Sequence, residues 1–350
     1  MLHLQDNQRL RSSRHERIDP MLYRALAGAL TLCAALCAAP GAIAQDALPE
    51  SGFANTTVGA LTDADRLTQE AERIALARDR ASRMTVPVSI DGRGPFKFMI
   101  DTGSERTVVS SDIASVLSLE MAEIARLVSI AGSKMVQTVY LPEVTLGRRN
   151  YGELVAPMLE AHHIGADGIL GLDGLQDQRI LFDFLENAIT IEDITERPRV
   201  SDFEIVVSAR RKSGQLIFTD ATLGGKRISV VIDTGAQSNI GNMALLKRLG
   251  ASHKLSAQQA SLTSVTGQTI LADAGLAQDF RIGRAQFDYV PIVFADADAF
   301  RELGLDKTPA LLLGMSTLRQ FNRMMIDFKQ RRVLFDMPEA ARVRRDRARI

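Results

Sequence analysis

The chain has 350 residues, of which 46% are hydrophobic, and its 42 basic and 42 acidic residues give a net charge of zero at pH 7. This composition is typical of a soluble globular protein that buries one large core or two ordinary ones. Because a neutral chain is poorly suited to bind the phosphate backbone of nucleic acids, we expect no nucleic-acid partner.

An uncharged, alanine-rich segment covers residues 25–44 and ends in the small-x-small triplet Ala42-Ile43-Ala44. It predicts a secretory signal peptide that is cleaved before Gln45. Met21 is a natural start for such a signal, which would make residues 1–20 an upstream extension. We therefore expect an exported protein, periplasmic or secreted, without stable membrane insertion once the signal is removed. The alternative is an uncleaved membrane anchor, since about twenty uncharged residues can span a bilayer.

Both cysteines of the chain, Cys33 and Cys37, lie inside the predicted signal. The exported protein would then contain no disulfide, no thiolate nucleophile and no cysteine ligand for a metal. We therefore expect a protein that is held together by its core alone and whose chemistry needs no thiol.

The segment before the first predicted strand of the lobes, residues 45–83, has two parts. Residues 45–60 are small and polar and indicate a linker, whereas residues 62–83 carry helix formers with sparse apolar positions and predict a short surface helix. Whether this segment acts as a pro-segment is left open. From Met84 onwards, short runs rich in Val, Ile and Phe between Gly, Pro and Asp predict β-strands.

The most informative feature is a tripeptide that occurs twice, Asp-Thr-Gly. Asp101 follows the largely apolar run FKFMI, and Asp233 follows ISVVI. A turn glycine stands nine residues before each aspartate, Gly92 in the first case and Gly224 in the second. Each triplet therefore lies at the end of a predicted buried strand that begins after a tight turn.

Further matched features follow both triplets in the same order. First comes a predicted hairpin tip with a glycine, then two apolar residues and a glycine, and then a closing strand with Phe and Asp, ILFDF or MMIDF. Such an ordered repeat indicates an internal duplication into two lobes. The expected divisions of the chain are a signal with its upstream extension (1–44), a linker with a short helix (45–83), a first lobe (84–197), a second lobe (198–338) and a basic tail (339–350).

Duplicated lobes that pack about a pseudo-twofold axis would bring equivalent residues together, so that Asp101 faces Asp233. Two carboxyl groups about 3 Å apart cannot both ionise easily, and they share one proton. The ionised group could then take a proton from water, while the protonated group donates to the carbonyl oxygen of an amide. This chemistry needs no metal and no cofactor, and we expect neither.

The residues directly after the two aspartates fit this hypothesis. Gly103 and Gly235 allow the backbone to turn sharply and bring N–H groups near the carboxylates. Thr102 and Thr234 offer hydroxyls that can bond across the axis and hold the two loops in register.

The residue after each glycine differs between the lobes, being Ser104 in the first and Ala236 in the second. A serine hydroxyl could donate a hydrogen bond to the neighbouring carboxylate and favour its charged form, whereas alanine cannot. We therefore expect Asp101 to be the more readily ionised member of the pair and Asp233 to hold the proton.

The two triplets, each with a downstream apolar-apolar-Gly, resemble the aspartic proteases of the pepsin and retropepsin types. The resemblance covers about residues 84–336 and implies an all-β fold of two tandem β-barrel lobes related by pseudo-twofold symmetry, besides the short N-terminal helix. It also implies an endopeptidase that hydrolyses exported or envelope polypeptides through a water activated by Asp101 and Asp233. By the same resemblance, the residues that back the active-site loops are Ile169, Leu170, Gly171, Leu312, Leu313 and Gly314.

The predicted flaps depart from the pepsin pattern. Pepsin-type enzymes carry a tyrosine on one flap, but the first predicted hairpin, residues 131–134, has none at its tip. Each lobe instead has a glycine there, Gly132 or Gly267, which is similar to the paired flaps of retropepsin dimers. We therefore expect a retropepsin-like dimer fused into one monomeric chain. The alternative is that each lobe pairs with its own copy in another chain.

A functional alternative of a different class is a catalytically silent module that binds peptides in the same cleft without cleaving them. The adjacent His162 and His163 suggest a metal site, but no third ligand stands at a useful spacing in the sequence. We therefore interpret these two histidines as ordinary surface residues.

Overall fold

The computed structural model describes residues 3–5, 71–75, 77–78, 84–175, 178–193, 202–250 and 253–338. The predicted signal peptide at 25–44, the linker at 45–60, the boundary between the lobes at 194–201 and the basic tail lie outside the described residues, and only residues 3–5 of the expected upstream extension are described. The described part is dominated by β-strands that form two lobes in tandem, which confirms the predicted all-β, two-lobed architecture.

The first lobe consists of short strands with two small α-helices and one 3-10 turn. In chain order, the N-terminal strands and the first lobe comprise β1 (His3–Gln5), β2 (Ala71–Ala75), β3 (Ala77–Arg78), β4 (Met84–Ile90), β5 (Arg93–Ile100), β6 (Val108–Ser110), α1 (Ser111–Leu117), β7 (Ala125–Ser129), β8 (Gly132–Val136), β9 (Thr138–Leu141), β10 (Val144–Leu146), β11 (Arg149–Tyr151), β12 (Leu154–Leu159), α2 (Ala161–Ile164), β13 (Gly168–Leu170), the 3-10 turn Leu172–Gly174, β14 (Gln178–Asp183) and β15 (Ala188–Asp193).

The second lobe repeats this order with longer strands. It comprises β16 (Ile205–Lys212), β17 (Gln215–Leu223), β18 (Lys226–Ile232), β19 (Asn239–Gly241), α3 (Met243–Leu249), β20 (His253–Thr263), β21 (Thr269–Ile282), β22 (Ala285–Phe294), α4 (Asp298–Glu302), β23 (Ala310–Leu313), α5 (Met315–Leu318), β24 (Arg323–Asp327) and β25 (Arg332–Asp336).

The strands that carry the Asp-Thr-Gly triplets lie in the middle of their sheets. β5 lies between β4 and the parallel strand β13, and β18 lies between β17 and the parallel strand β23. The last residues of both strands are fully buried, which explains their continuous apolar sequence where an alternating one would suit a half-exposed strand. Each triplet therefore begins at the end of a rigid central strand.

The two lobes are joined by a continuous sheet. β14 of the first lobe pairs antiparallel with β24 of the second, so that Leu181 lies opposite Met325. These two residues occupy equivalent places in ILFDF and MMIDF, and their neighbours pair crosswise, Ile180 with Ile326 and Phe182 with Met324. Pairing between equivalent positions requires a pseudo-twofold axis between the strands. The pairing of β14 with β24 thus follows the pseudo-twofold relation that the repeat suggested.

Each lobe extends a β-hairpin, called here a flap, over the other lobe. The first flap is β7–β8 and the second is β20–β21. Ile130 at the first tip packs against an apolar cluster of the second lobe that includes Phe300, and Val265 at the second tip packs against a cluster of the first lobe that includes Ile164. The crossed contacts hold both flaps closed over the region between the lobes.

The helix predicted over residues 62–83 is wrong wherever the structure describes this segment. Residues 71–75 and 77–78 form the strands β2 and β3. β2 pairs along the edge of β15, with Ile74 opposite Ile189, and β3 pairs with β4. Helix propensity amounts to only a few tenths of a kcal/mol per residue, so the hydrogen bonds offered by an open sheet edge can override it.

Another edge is extended by the N-terminal strand. β1 pairs antiparallel with β7 of the first flap, and Leu4 lies opposite Leu127. This edge of the flap therefore accepts an additional extended segment. Among the residues that the structure describes, none of the helices has the length and apolar character needed to cross a membrane.

Candidate active site

Asp101 and Asp233 begin loops that are held by the strands behind them. The backbone N–H of Asp101 donates to the carbonyl of Leu170, and that of Asp233 donates to the carbonyl of Leu313, each at 3.1 Å. Both acceptors lie at the ends of β13 and β23, beside the ends of β5 and β18. The parallel pairing therefore places each carboxylate at the same point of its lobe.

The two loops approach each other closely across the pseudo-twofold axis. A methyl group placed on Gly103 would lie 2.7 Å from Oδ1 of Asp233, and one placed on Gly235 would lie 2.3 Å from Cγ of Asp101. Each glycine thus faces the aspartate of the other lobe, and only a residue without a side chain leaves room for it. The structure brings Asp101 and Asp233 into one site, where both side chains are almost fully buried.

Thr102 and Thr234 connect the loops by reciprocal hydrogen bonds. The N–H of Thr102 donates to the hydroxyl of Thr234 at 3.0 Å, and the N–H of Thr234 donates to the hydroxyl of Thr102 at 3.2 Å. The hydroxyls in turn donate to the carbonyls of Ile232 and Ile100, each at 2.9 Å. These bonds across the axis are those that the sequence suggested, and they fix the spacing of the two aspartates.

The backbone supplies N–H groups to both carboxylates, but not equally. Oδ1 of Asp101 accepts from the N–H of Gly103 at 2.7 Å. Oδ1 of Asp233 accepts from the N–H groups of both Gly235 and Ala236, at 3.1 and 3.0 Å. Because N–H donors stabilise negative charge, Asp233 is the better placed of the two to carry it.

The electrostatics of Asp101 favour its protonated form. Burial of the side chain, with the nearby charge of Asp233, raises the pKa of Asp101 to about 6, although the N–H of Gly103 acts in the opposite direction. Two adjacent buried carboxyl groups retain one proton between them for this reason. The raised pKa of Asp101 therefore favours this residue as the one that holds the shared proton.

The expectation that Ser104 makes Asp101 the more readily ionised aspartate is therefore wrong. The hydroxyl of Ser104 donates to the backbone carbonyl of Arg106 at 2.7 Å and makes no bond to the carboxylate. Only the backbone N–H of Ser104 points back to the aspartate, and it donates to the main-chain carbonyl of Asp101. The side chain of Ser104 therefore stabilises the turn itself, because its hydroxyl bonds to the main-chain carbonyl of Arg106.

The apolar-apolar-Gly segments lie behind the loops. Ile169 and Leu170 belong to β13, beside β5, whereas Leu312 and Leu313 belong to β23, beside β18. A methyl group on the following glycine would lie 2.4 Å from a main-chain atom of the loop, at Arg106 for Gly171 and at Ser238 for Gly314. Both glycines therefore permit the same close backbone contact in the two lobes.

The flap tips close the site from above. Ser129 and Thr266 approach within 3.3 Å through their hydroxyl oxygens, and a methyl group on Gly132 would touch the side chain of Gln268. The predicted tip residues Gly132 and Gly267 thus belong to hairpins that meet over the cleft. Below them lies a cavity of about 390 Å³ that reaches both Asp101 and Asp233.

The histidines that the sequence indicated as surface residues, His162 and His163, both also line this cavity. His162 is exposed and His163 is half-buried in α2, with the ring centroids 3.9 Å apart. His163 lies against the second flap, and a methyl group on Gly267 would be 2.4 Å from its Cε1 atom. The contact joins residues of different lobes, so their spacing in the sequence gave no signal for it.

Gln215 is a second residue near the site that sequence reasoning missed. It begins β17 and is 2% exposed. Its side-chain amide Nε2 donates to the carbonyl of Gly103 at 2.7 Å, from the second lobe to the loop of the first. A lone glutamine at the start of a strand carries no recognisable pattern, so only the fold reveals this contact.

Two family models match the chain, one in each lobe. The model of the gag-polyprotein aspartyl protease matches residues 86–177, and a model described as aspartyl protease matches residues 219–317. A search among curated proteins finds no match. The fold and these matches define a class, the two-lobed aspartic proteases of the retropepsin kind. The chain belongs to this family and carries its two aspartyl protease domains in tandem.

Proposed function

We propose that the chain is an aspartic endopeptidase that uses Asp101 and Asp233 as one shared dyad. The observation that carries the proposal is the close approach of the loops, in which each glycine of the triplets faces the aspartate of the other lobe. Such an arrangement serves no evident structural purpose, because burying two adjacent carboxyl groups costs free energy. The cost is typical of a site whose chemistry needs a shared proton.

The proposed reaction is attack of a water molecule on the carbonyl carbon of a peptide bond. Asp233, whose charge two N–H groups stabilise, accepts a proton from the water. Asp101, protonated below about pH 6, donates its proton to the carbonyl oxygen. The tetrahedral intermediate then collapses as the C–N bond breaks: the leaving amine takes the proton from Asp233, and one hydroxyl of the intermediate returns its proton to Asp101, which restores the dyad. No metal or cofactor takes part in these steps.

The proposed substrate is an extended polypeptide that lies between the loops and the flaps. Support comes from β1, which already adds an extended segment to the edge of β7. Extended peptides commonly bind by such strand addition, in which main-chain bonds supply affinity and side-chain pockets supply selectivity. The cavity under the flaps is lined by residues of both lobes, so a bound peptide would contact both.

The location and the oligomeric state of the protein are also part of this proposal. We propose an exported protein, with the segment at 25–44 as its signal, that acts on periplasmic, envelope or secreted polypeptides. An uncleaved anchor at this segment is the alternative. We further propose that the protein is a monomer, for which the pairing of β14 with β24 inside one chain is the support.

The test is cleavage of a mixed peptide library between about pH 3 and pH 8, with the full chain and with the form that begins at Gln45. Asp101→Asn and Asp233→Asn should each abolish cleavage, because neither half of the dyad works alone. Asp112→Asn is the matched control, since it changes an exposed aspartate of α1 in the same way. A parent protein that holds peptides intact at every pH would be a binding module. Activity that survives one dyad substitution would disprove a shared site.

A further inference from the structure

The two histidines of α2 lie at one side of the proposed cleft. His162 and His163 line the same cavity as Asp101 and Asp233. The ring of His163 lies against Gly267 at the tip of the second flap, so the flap closes onto α2 of the other lobe. A polypeptide held under this flap would therefore pass beside the two imidazole rings.

These rings are the basic groups among the described residues that line the cavity. The acidic groups there are Asp101 and Asp233, and the remaining described lining residues are uncharged. A carboxylate of the substrate would be repelled by the dyad, whose charge is shared by two buried groups. Near the imidazoles it would instead find N–H donors, which histidine offers in its neutral and its protonated form.

The histidines are not required by the fold, as a comparison of the lobes demonstrates. Val109 of the first lobe and Gly241 of the second lobe occupy equivalent places. Val109 lies opposite Met158 in β12, and Gly241 lies opposite Phe294 in β22. Counting forward from these strands, the places of His162 and His163 are taken in the second lobe by Asp298 and Ala299. Both lobes build a short helix there, α2 or α4, so helix formation does not explain the imidazoles.

The pair is also unsuited to a metal centre. Two imidazoles leave a tetrahedral ion with at least one protein ligand too few. No group of three or more potential ligands occurs among the residues that the structure describes. The chemistry that fits two adjacent N–H donors in a peptide-binding cleft is recognition of a carboxylate.

We propose that His162 and His163 form a subsite that binds the side-chain carboxylate of an acidic residue in the polypeptide substrate. This inference rests on the proposed function, since it assumes that an extended peptide occupies the cleft. It makes the two histidines specificity-determining residues and assigns the substrate class as polypeptides with Asp or Glu near the scissile bond. The subsite belongs to one lobe only, so it also sets the direction in which the peptide lies.

The experiment compares pairs of peptides that differ only by Glu or Gln at one position, with every position around the cleavage site tested in turn. The parent should cleave the Glu peptide of one pair about tenfold faster or more, measured as kcat/KM, because bonds to charged groups are worth more than bonds to amides. In the double variant His162→Ala/His163→Ala this ratio should fall to about one. His162→Asp, which copies Asp298 of the second lobe, should reverse it.

Controls distinguish an effect of the histidines from a general change in charge or folding. Lys247→Ala removes an exposed positive charge from α3 and should keep the parent's ratio. Both peptides of a pair are assayed with the same protein preparation. Partial unfolding of a variant therefore lowers both rates by the same factor and leaves the ratio of the Glu rate to the Gln rate unchanged. An equal rate for Glu and Gln peptides at all positions, or a preference that persists in the double variant, would overturn the subsite.

Equilibrium binding separates failure of the subsite from failure of the proposed function. The fluorescence anisotropy of the same labelled peptides is measured with the Asp101→Asn protein, with and without the histidine substitutions. Tighter binding of one Glu peptide that disappears in the double variant supports the subsite even if the parent cleaves nothing. Equal binding of Glu and Gln peptides, or no binding at all, contradicts the subsite even if the parent is an active protease.

Discussion

The hydroxyl of Thr102 accepts the backbone N–H of Thr234, and the hydroxyl of Thr234 accepts the backbone N–H of Thr102. Both bonds are buried and both run between lobes. The loops that carry the two aspartates are thus tied to each other directly, in addition to the sheet that joins the lobes further away.

Loss of one threonine hydroxyl should weaken both the fold and the site. Thr102→Ala leaves the buried N–H of Thr234 without its acceptor, which costs about 1–3 kcal/mol in the free energy of unfolding. Urea unfolding measures this loss, and Thr234→Ala should give a similar value. Thr102→Ser retains the hydroxyl and is the matched control. Equal destabilisation by the Ser and Ala substitutions would show that the hydrogen bond is not the cause.

A methyl group at either glycine of the triplets should damage activity more than stability. Gly103→Ala and Gly235→Ala would place Cβ within 3 Å of the opposite aspartate and displace it. A displacement of about 1 Å at the reacting groups can cost roughly 100-fold in rate, and we expect a loss of kcat/KM of that order. Gly152→Ala is the control, because the added methyl has no neighbour within 4 Å. Full activity in either triplet variant would contradict the close approach of the loops.

The protonation of Asp101 predicts a pH dependence of stability. Its pKa is raised from 3.8 to about 6, so between these values the folded protein holds a proton that the unfolded chain has released. Stability should therefore fall as the pH rises through this window and level off above about pH 6. In Asp101→Asn this part of the slope should vanish, whereas Asp112→Asn should keep it. The measurement is urea unfolding from about pH 4 to pH 7.

The same proton predicts the basic limb of the cleavage rate. Above about pH 6 Asp101 loses the proton that it donates to the carbonyl oxygen, so kcat/KM should decline there. Rates of the parent across this range test the assignment. A rate that is constant up to pH 8 would mean that Asp101 does not act as the acid.

Gln215 should act on the dyad by positioning the first loop. Gln215→Met keeps the volume but removes the N–H donor to the carbonyl of Gly103. Because the lost bond supports the loop and not the substrate, we expect kcat to fall about tenfold with KM little changed. Gln320→Met is the matched control, since the amide of Gln320 bonds to Ser316 at the surface. A change in KM alone would argue against a positioning role.

The sheet between the lobes should depend on a buried ion pair. Arg179 in β14 is 2% exposed, and its Nη2 lies 3.2 Å from Oδ2 of the fully buried Asp327 in β24. Arg179→Met leaves that carboxylate uncompensated, which typically costs 3–5 kcal/mol, or about half of a typical domain's stability. Arg281→Met breaks an exposed pair with Asp279 and should cost at most about 1 kcal/mol. Similar losses in both variants would show that burial does not govern the pair.

The duplicated features of the sequence predicted the centre of the molecule well. The position of Asp101 after one strand and of Asp233 after another is encoded locally, by an apolar run followed by Thr and Gly. Once a twofold relation is inferred from the repeat, the meeting of the two loops follows from symmetry. The prediction therefore needed no knowledge of distant contacts.

Contacts that break the symmetry could not be predicted in this way. The imidazole of His163 meets Gly267 of the other lobe, and Gln215 reaches the loop at Gly103. Neither pair has a counterpart in the repeat that would have revealed it. The helix prediction failed at β2 and β3 for a related reason. The conformation of these strands is set by their pairing with β15 and β4, whereas the composition of the segment favours a helix.

The order of the strands along the chain has a consequence for biosynthesis. The sheet that joins the lobes needs β24 and β25, which follow both aspartates in the chain. Asp101 and Asp233 therefore leave the ribosome before the strands that connect their lobes. Since part of a chain can fold only after it is made, this sheet can hold the two triplet loops together only once Asp336 has been synthesised.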